Sequence, residues 1–129
     1  EDSAILYFAW DKTRVPLQLE FDVAATLVPQ IEAVMASNAP KKPYFQAGMY
    51  YFERDIDLKK AATWIDAAIA EQPNAFYMVY HKARLLAKTG DKAGAKAAAE
   101  KSVELAKQAG GSVAEEYTRL NNALLASLK

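Results

Sequence analysis

The chain has 129 residues, of which 52% are hydrophobic and 25% charged, the balance of one globular domain with a core of its own. It has no cysteine and a single histidine, His81, which excludes disulfides, thiol catalysis, thiolate metal sites and a multi-histidine metal centre. Sixteen basic and sixteen acidic residues cancel, so no overall field draws the chain to nucleic acid or to an anionic membrane. No apolar run approaches the roughly 18 residues that span a bilayer, so no membrane insertion is expected. The cancellation is uneven. Residues 1–73 carry 7 Lys or Arg against 11 Asp or Glu, and residues 74–129 carry 9 against 5, an asymmetry able to bias docking between two faces or two copies. The first residue is Glu, from which a processed or excised chain is expected.

The N-terminal stretch reads as β structure. Residues 4–10 (AILYFAW) are apolar and aromatic, and residues 15–21 (VPLQLEF) alternate, with Val15, Leu17, Leu19 and Phe21 on one face and Gln18 and Glu20 on the other. A period of two marks a half-buried strand. The polar run Asp11-Lys12-Thr13-Arg14 supplies the turn of a hairpin, and Pro16, lacking a ladder donor, belongs at a strand start or on an edge. A lone hairpin is marginal in water, so it must lie on the helices, pair with another copy, or join a sheet that precedes it. Burial accounts for Tyr7, Phe8 and Trp10 better than a ligand platform does.

Helical spacing follows. Residues 23–37 place Val23, Leu27, Ile31, Val34 and Met35 on one stripe, with Thr26 as cap and Pro29 in the first turn, or Asp22 as the alternative cap with a kink near Pro29. Residues 38–43 (NAPKKP) form a stiff loop. Helices are expected over 44–54, 58–72 with Asp57 as N-cap, 75–89 after Pro73, 92–109 between Gly90-Asp91 and Gly110-Gly111, and 113–128 with Ser112 as cap. The expected fold is mostly α: an N-terminal β-hairpin followed by about six helices, as a single domain over 1–129, with 1–22 the hairpin and 23–43 a helix and linker.

Within this pattern there is a repeat. Asp57 is matched by Asp91, Ala61 by Ala95, Ala68 by Ser102 and Ile69 by Val103, each 34 residues on. That period indicates stacked helix pairs and is the tetratricopeptide length. Residues 44–109 resemble two tetratricopeptide repeats and 110–129 the single helix that closes such an array, through small Ala61 and Ala95, Ala68 and Ser102, Pro73, and the Gly90-Asp91 turn. Met49 departs from the small residue usual in the first helix, where repeat two has Ala83, and Lys107 stands where proline would. The resemblance implies a right-handed helical-repeat stack. A narrower resemblance covers the whole chain: Trp10, Lys12, Thr13 and Val15, then YYFE at 50–53, the stretch 57–69 and the stretch 82–95. These are similar to the C-terminal half of an exported bacterial family whose domain has no known function. This implies a β-rich front half, a periplasmic or surface location, and no assigned activity.

Three groups of residues could carry chemistry. In tetratricopeptide arrays the ligand-facing positions lie on the first helix of each pair, which implies Gln46, Tyr50 and Glu53, then Tyr80, Arg84 and Lys88, then Thr118, Asn121 and Asn122. Arg84 and Lys88, four apart, share a helix face and with Asn121 and Asn122 could hold a carboxylate. The alternatives are a solvated surface or a groove filled by helix 23–37. Glu53, Asp55 and Asp57 have hard-metal character but lack a calcium-loop pattern, so a turn with one cap explains them. His81 has no nucleophile or orienting carboxylate identified by sequence. The expectation is a non-catalytic module with no cofactor or metal, whose partner is a protein or peptide, including a β domain of its own parent. A homodimer through the hairpin edge is a further expectation. The rival is an accessory domain of an exported enzyme or small-ligand binder whose site lies in that β half.

Overall fold

A computed structural model of the protein describes residues 3–20 and 22–128, mostly helical with one two-stranded antiparallel sheet at the N-terminal end. The elements are β1 (Ser3–Trp10), β2 (Thr13–Glu20), α1 (Val23–Ala36), α2 (Tyr44–Glu53), α3 (Leu58–Glu71), α4 (Phe76–Lys88), α5 (Lys92–Ala109) and α6 (Gly111–Ser127). The stretch expected as one domain contains two compact units, residues 1–42 and 43–129. No helix among the described residues is long and apolar enough to cross a membrane.

In the first unit the hairpin turn is tighter than the polar run suggests. Trp10 pairs with Thr13 and Ala9 with Arg14, so only Asp11 and Lys12 lie in the turn. Asp11 takes φ 51°, the left-handed conformation needed at the first central position of a two-residue hairpin turn and one that Asp tolerates. Because directly opposed residues share a face, Ala4, Leu6, Phe8 and Trp10 align with Leu19, Leu17, Val15 and Thr13 on a face without a charge. The opposite face sets Tyr7 against Pro16 and Ala9 against Arg14, whose guanidinium carbon stands 4.0 Å from the centre of the Tyr7 ring. Phe21, expected on the apolar face, lies outside the described residues. Helix α1 is capped by Asp22, whose Oδ1 accepts from the Ala25 N–H at 2.9 Å. Thr26 and Pro29 both fall inside the helix. An aspartate is a strong cap, and Pro29 withdraws one donor only, the one that would reach the Ala25 carbonyl. No described residue of this unit is buried, so the burial expected for Tyr7, Phe8 and Trp10 is not found; each is about half exposed or more.

The second unit holds the core. Each helix packs on the next from α2 to α6, and α4 also meets α2 and α6. Local chemistry sets the boundaries. The Asp57 carboxylate accepts from the Lys59 and Lys60 N–H groups, both at 3.0 Å, and Asp91 accepts from Gly94 N–H at 2.8 Å. Each satisfies donors that the first turn of a helix leaves orphaned. Gly110 and Gly111, with φ of 68° and 83°, turn the chain between α5 and α6. The last helix therefore begins at Gly111 with Gly110 at its cap position, and Ser112, expected as the cap, is inside it. Positions 34 apart share an environment: Tyr51 and Leu85, Ala61 and Ala95, Ile65 and Ala99, and Ala68 and Ser102 are all buried. At Gly48 a methyl group would stand 2.8 Å from Ile65 Cγ1 and 3.1 Å from the Ala61 carbonyl oxygen, so α2 and α3 approach closely and any side chain here presses on Ile65.

Candidate functional site

Helix α4 organises the site, because contact with α2 and α6 puts its aromatic and cationic residues between two neighbours. Towards α2, Phe45 lies 5.6 Å from Tyr77 and 5.6 Å from His81, ring centre to ring centre. Towards α6, Tyr117 lies 5.4 Å from Phe76 and 5.4 Å from Tyr80. Tyr80 and His81, 5.2 Å apart, join the two halves. Most of these pairs meet edge to face, the geometry that sets the positive rim of one ring on the negative face of another, each contributing about 0.5–1.5 kcal/mol beyond area burial. A row of rings thus runs across three helices, and none of its members is fully buried.

One end of the row is cationic. The Arg84 guanidinium carbon stands 5.3 Å from the Phe52 ring centre and 5.9 Å from that of Tyr80, and Nη1 lies 3.3 Å from His81 Nδ1. A guanidinium only donates, so Nδ1 accepts and the neutral imidazole keeps its proton on Nε2. Burial, then the Arg84 charge, pushes the His81 pKa down to about 4. Lys88, 5.4 Å from the Phe52 ring, is neutralised by Asp55 at 2.6 Å. Arg84 has no carboxylate partner among the described residues, and one of its five N–H donors is engaged. It is a partly buried cation held between two rings with most of its donors uncommitted.

Of the residues expected in a groove, Tyr80, Arg84 and Lys88 come together here. Tyr50 is half-buried on α2, with the Arg54 guanidinium 5.6 Å from its ring centre and its hydroxyl enclosed without a hydrogen-bond partner. Gln46 and Glu53 are exposed on the same helix. The α6 residues go elsewhere. Thr118 donates to the Ala114 carbonyl at 2.9 Å and lines a cleft of about 340 Å³ beside Lys107 and Glu115. Asn122 lines a different α5–α6 cleft with Lys96 and Glu100. Asn121 is fully buried: its amide donates to Ser102 Oγ at 2.8 Å and to the Tyr117 carbonyl at 2.7 Å, while Ser102 donates to the Phe76 carbonyl at 2.7 Å. A side chain so engaged does not join Arg84 in holding a carboxylate; it locks α6 onto α4 and α5.

Phe45, Phe52, Tyr77 and Tyr117 were not among the residues expected in a groove, since an aromatic that packs on a neighbour and one that also faces a ligand have the same spacing. The acids 53, 55 and 57 divide into an exposed Glu53, a Lys88 partner and a helix cap. No group of three or more His, Cys, Asp or Glu among the described residues is placed to hold a metal.

The His81 environment has a consequence for pH. With its pKa about 4 in the folded chain and near 6.5 unfolded, the unfolded state binds more protons between those values. Stability is therefore full above about pH 6.5 and falls as pH drops towards 4. The loss from this group is on the order of 1–2 kcal/mol after discounting for its partial exposure. Urea midpoints of wild type and His81→Gln at pH 7 and pH 4.5 check this; an equal loss in both chains would show that other groups carry it.

Compared with family models, curated proteins and solved structures, the chain matches none.

Proposed function

We propose that this protein is a non-catalytic helical-repeat module that holds an extended or helical protein segment along the aromatic row, and that α2 to α6 form a tetratricopeptide-like right-handed stack. The observation that carries the binding reading is Arg84, a cation stacked on Phe52 and Tyr80 and without a carboxylate partner among the described residues. In a half-buried setting those donors are left to water and stay open to a ligand. A planar fork of this kind suits a carboxylate from an acidic side chain or a chain end, with the rings taking apolar neighbours. The stack reading is supported by sequential helix packing, by α4 meeting both α2 and α6, and by equivalent burial and capping 34 residues apart.

A second reading makes the chain an accessory part of an exported enzyme or ligand binder. The uncharged, exposed face of the hairpin favours it, because such a face is suited to another layer of structure.

Panning a displayed random-peptide library on the isolated protein tests the first reading. Acidic peptides with aromatic or aliphatic neighbours are expected to be enriched, and Arg84→Glu, alone or with Lys88→Glu, is expected to weaken them by about tenfold or more. Undiminished binding by both variants would remove the row as the site. Hydrolysis of ester or glycoside substrates by the isolated chain would sink both readings.

A further inference from the structure

The hairpin has two outer edges, and they are not equivalent. In a two-residue hairpin the pair flanking the turn exchanges both of its hydrogen bonds, and bonded and non-bonded pairs alternate from there. With Trp10 opposite Thr13, the Phe8–Val15 pair is bonded, while the Ala9–Arg14, Tyr7–Pro16 and Ile5–Gln18 pairs are not. The N–H and C=O groups of those last residues point outward. Pro16 is thus placed where its missing N–H costs the hairpin nothing, and where it removes a donor from the outer edge of β2. A proline on an outward position is one of the standard ways a sheet edge is closed to further strands. The outer edge of β1 has no such guard: Ile5, Tyr7 and Ala9 each offer a donor and an acceptor, and no charged residue lies between Ser3 and Trp10.

Three more observations say what this edge takes. The hairpin is a sheet of two strands with no buried residue, whereas three or more strands with an apolar face are needed for independent stability. The face bearing Leu6, Phe8, Trp10, Val15 and Leu17 is exposed and uncharged, so an added strand must continue it with apolar residues. The β1 strand is itself such a strand, and it is self-complementary about Tyr7. An antiparallel pairing with Tyr7 opposite Tyr7 sets Ile5 against Ala9, Leu6 against Phe8 and Ala4 against Trp10, apolar on apolar throughout and large beside small in the first and last pairs. The outward-pointing residues 5, 7 and 9 then meet one another as bonded pairs, and each keeps its face.

We propose that β1 pairs antiparallel with β1 of a second copy about a two-fold axis at Tyr7, giving a four-stranded sheet in the order β2-β1-β1-β2. The partner is identified by its chemistry as this same uncharged strand, and the edge shares no residue with the aromatic row.

Light scattering on the full chain over about 10–200 μM tests this, with two proline variants that differ only in the edge they block. Ala9→Pro removes an outward donor from β1, and Gln18→Pro does the same to β2, each at a non-bonded position of the hairpin. The expected result is twice the chain mass for wild type and for Gln18→Pro, and the single-chain mass for Ala9→Pro. Hydrogen exchange of the Phe8 and Val15 amides, which bond within the hairpin, shows whether each variant keeps its turn and ladder. If Ala9→Pro loses that protection, the N-methylated Ala9 peptide bond made by semisynthesis replaces it as the edge block. A wild-type monomer across the range overturns the proposal, as does a dimer that survives the β1 block, which would place the contact on the apolar face or elsewhere.

Discussion

Asn121→Asp is expected to destabilise the chain by about 3–5 kcal/mol at neutral pH, the largest effect of any single substitution considered for it. The change is nearly isosteric. Its effect comes from exchanging an amide that gives two hydrogen bonds, to Ser102 Oγ and the Tyr117 carbonyl, for a carboxylate that can give none. The site is fully buried, and a carboxylate oxygen would face the Tyr117 carbonyl oxygen. Protonation restores one donor, so the variant carboxyl is raised above its unfolded range and the loss grows as pH rises from about 4. Urea unfolding at pH 7 and pH 4 measures it, with Asn121→Leu as the uncharged comparison, expected to cost about 1–3 kcal/mol. If Asp is no worse than Leu at pH 7, then the interior at this junction is wetter than the structure shows. Because Tyr117 sits one turn before Asn121 and reaches Phe76 and Tyr80, the same variant is expected to weaken the peptide capture proposed for the aromatic row.

Gly48→Val is expected to cost about 2 kcal/mol, with Gly48→Ala staying within roughly 1 kcal/mol of wild type. Any Cβ at this position meets Ile65 Cγ1, and Ile65 has no exposed surface through which to move aside. For alanine the gain from removing a mid-helix glycine offsets much of the clash. Valine adds two methyl groups and loses that balance. The α2 helix would be pushed from α3 and would carry Phe45 away from Tyr77 and His81, so the peptide affinity proposed for the row is expected to fall along with stability. Combining Gly48→Val with Ile65→Ala separates the causes: overpacking predicts that the double variant is less destabilised than the sum of its parts. Simple additivity would mean that the two residues do not share the space that the geometry assigns to them.

What the sequence made legible was the chemistry that acts over a few residues. Asp57 and Asp91 read as caps because a carboxylate before a helical run has few other uses, and each accepts from the first turn as expected. Pro73 and Gly90 marked helix ends for equally local reasons, and the six helices lie within a residue or two of their expected positions. The misreadings are of two kinds. Thr26 and Ser112 were plausible caps beside better solutions, Asp22 in one case and a pair of left-handed glycines in the other. The turn at 11–14 contracted to two residues because the register follows strand pairing, which no window of the sequence displays.

At the candidate site the limit was rotational. Asn121 and Tyr117, four apart on α6, share a face, and the tetratricopeptide resemblance set the amide in a groove without naming the phenol. The fold reverses the expectation for the amide, since Ser102, 19 residues earlier, supplies a buried partner that only tertiary contact reveals. The tyrosine in turn takes the place between Phe76 and Tyr80. Arg84 and Tyr80 were expected to face a groove through the tetratricopeptide resemblance alone, and the structure puts both on α4, the helix that meets α2 and α6.

The uneven distribution of burial between the two units has a bearing on how this chain resists denaturant. Every buried residue among those described belongs to the unit of residues 43–129. The slope of an unfolding curve scales with the surface that unfolding exposes, so it reports almost wholly on that unit. The hairpin and α1 then exchange their amide hydrogens through local openings far smaller than the global unfolding energy. Two clocks run in one polypeptide: a slow cooperative one set by the helices, and a fast one at the N-terminal end, which a second copy bound there would slow without altering the first.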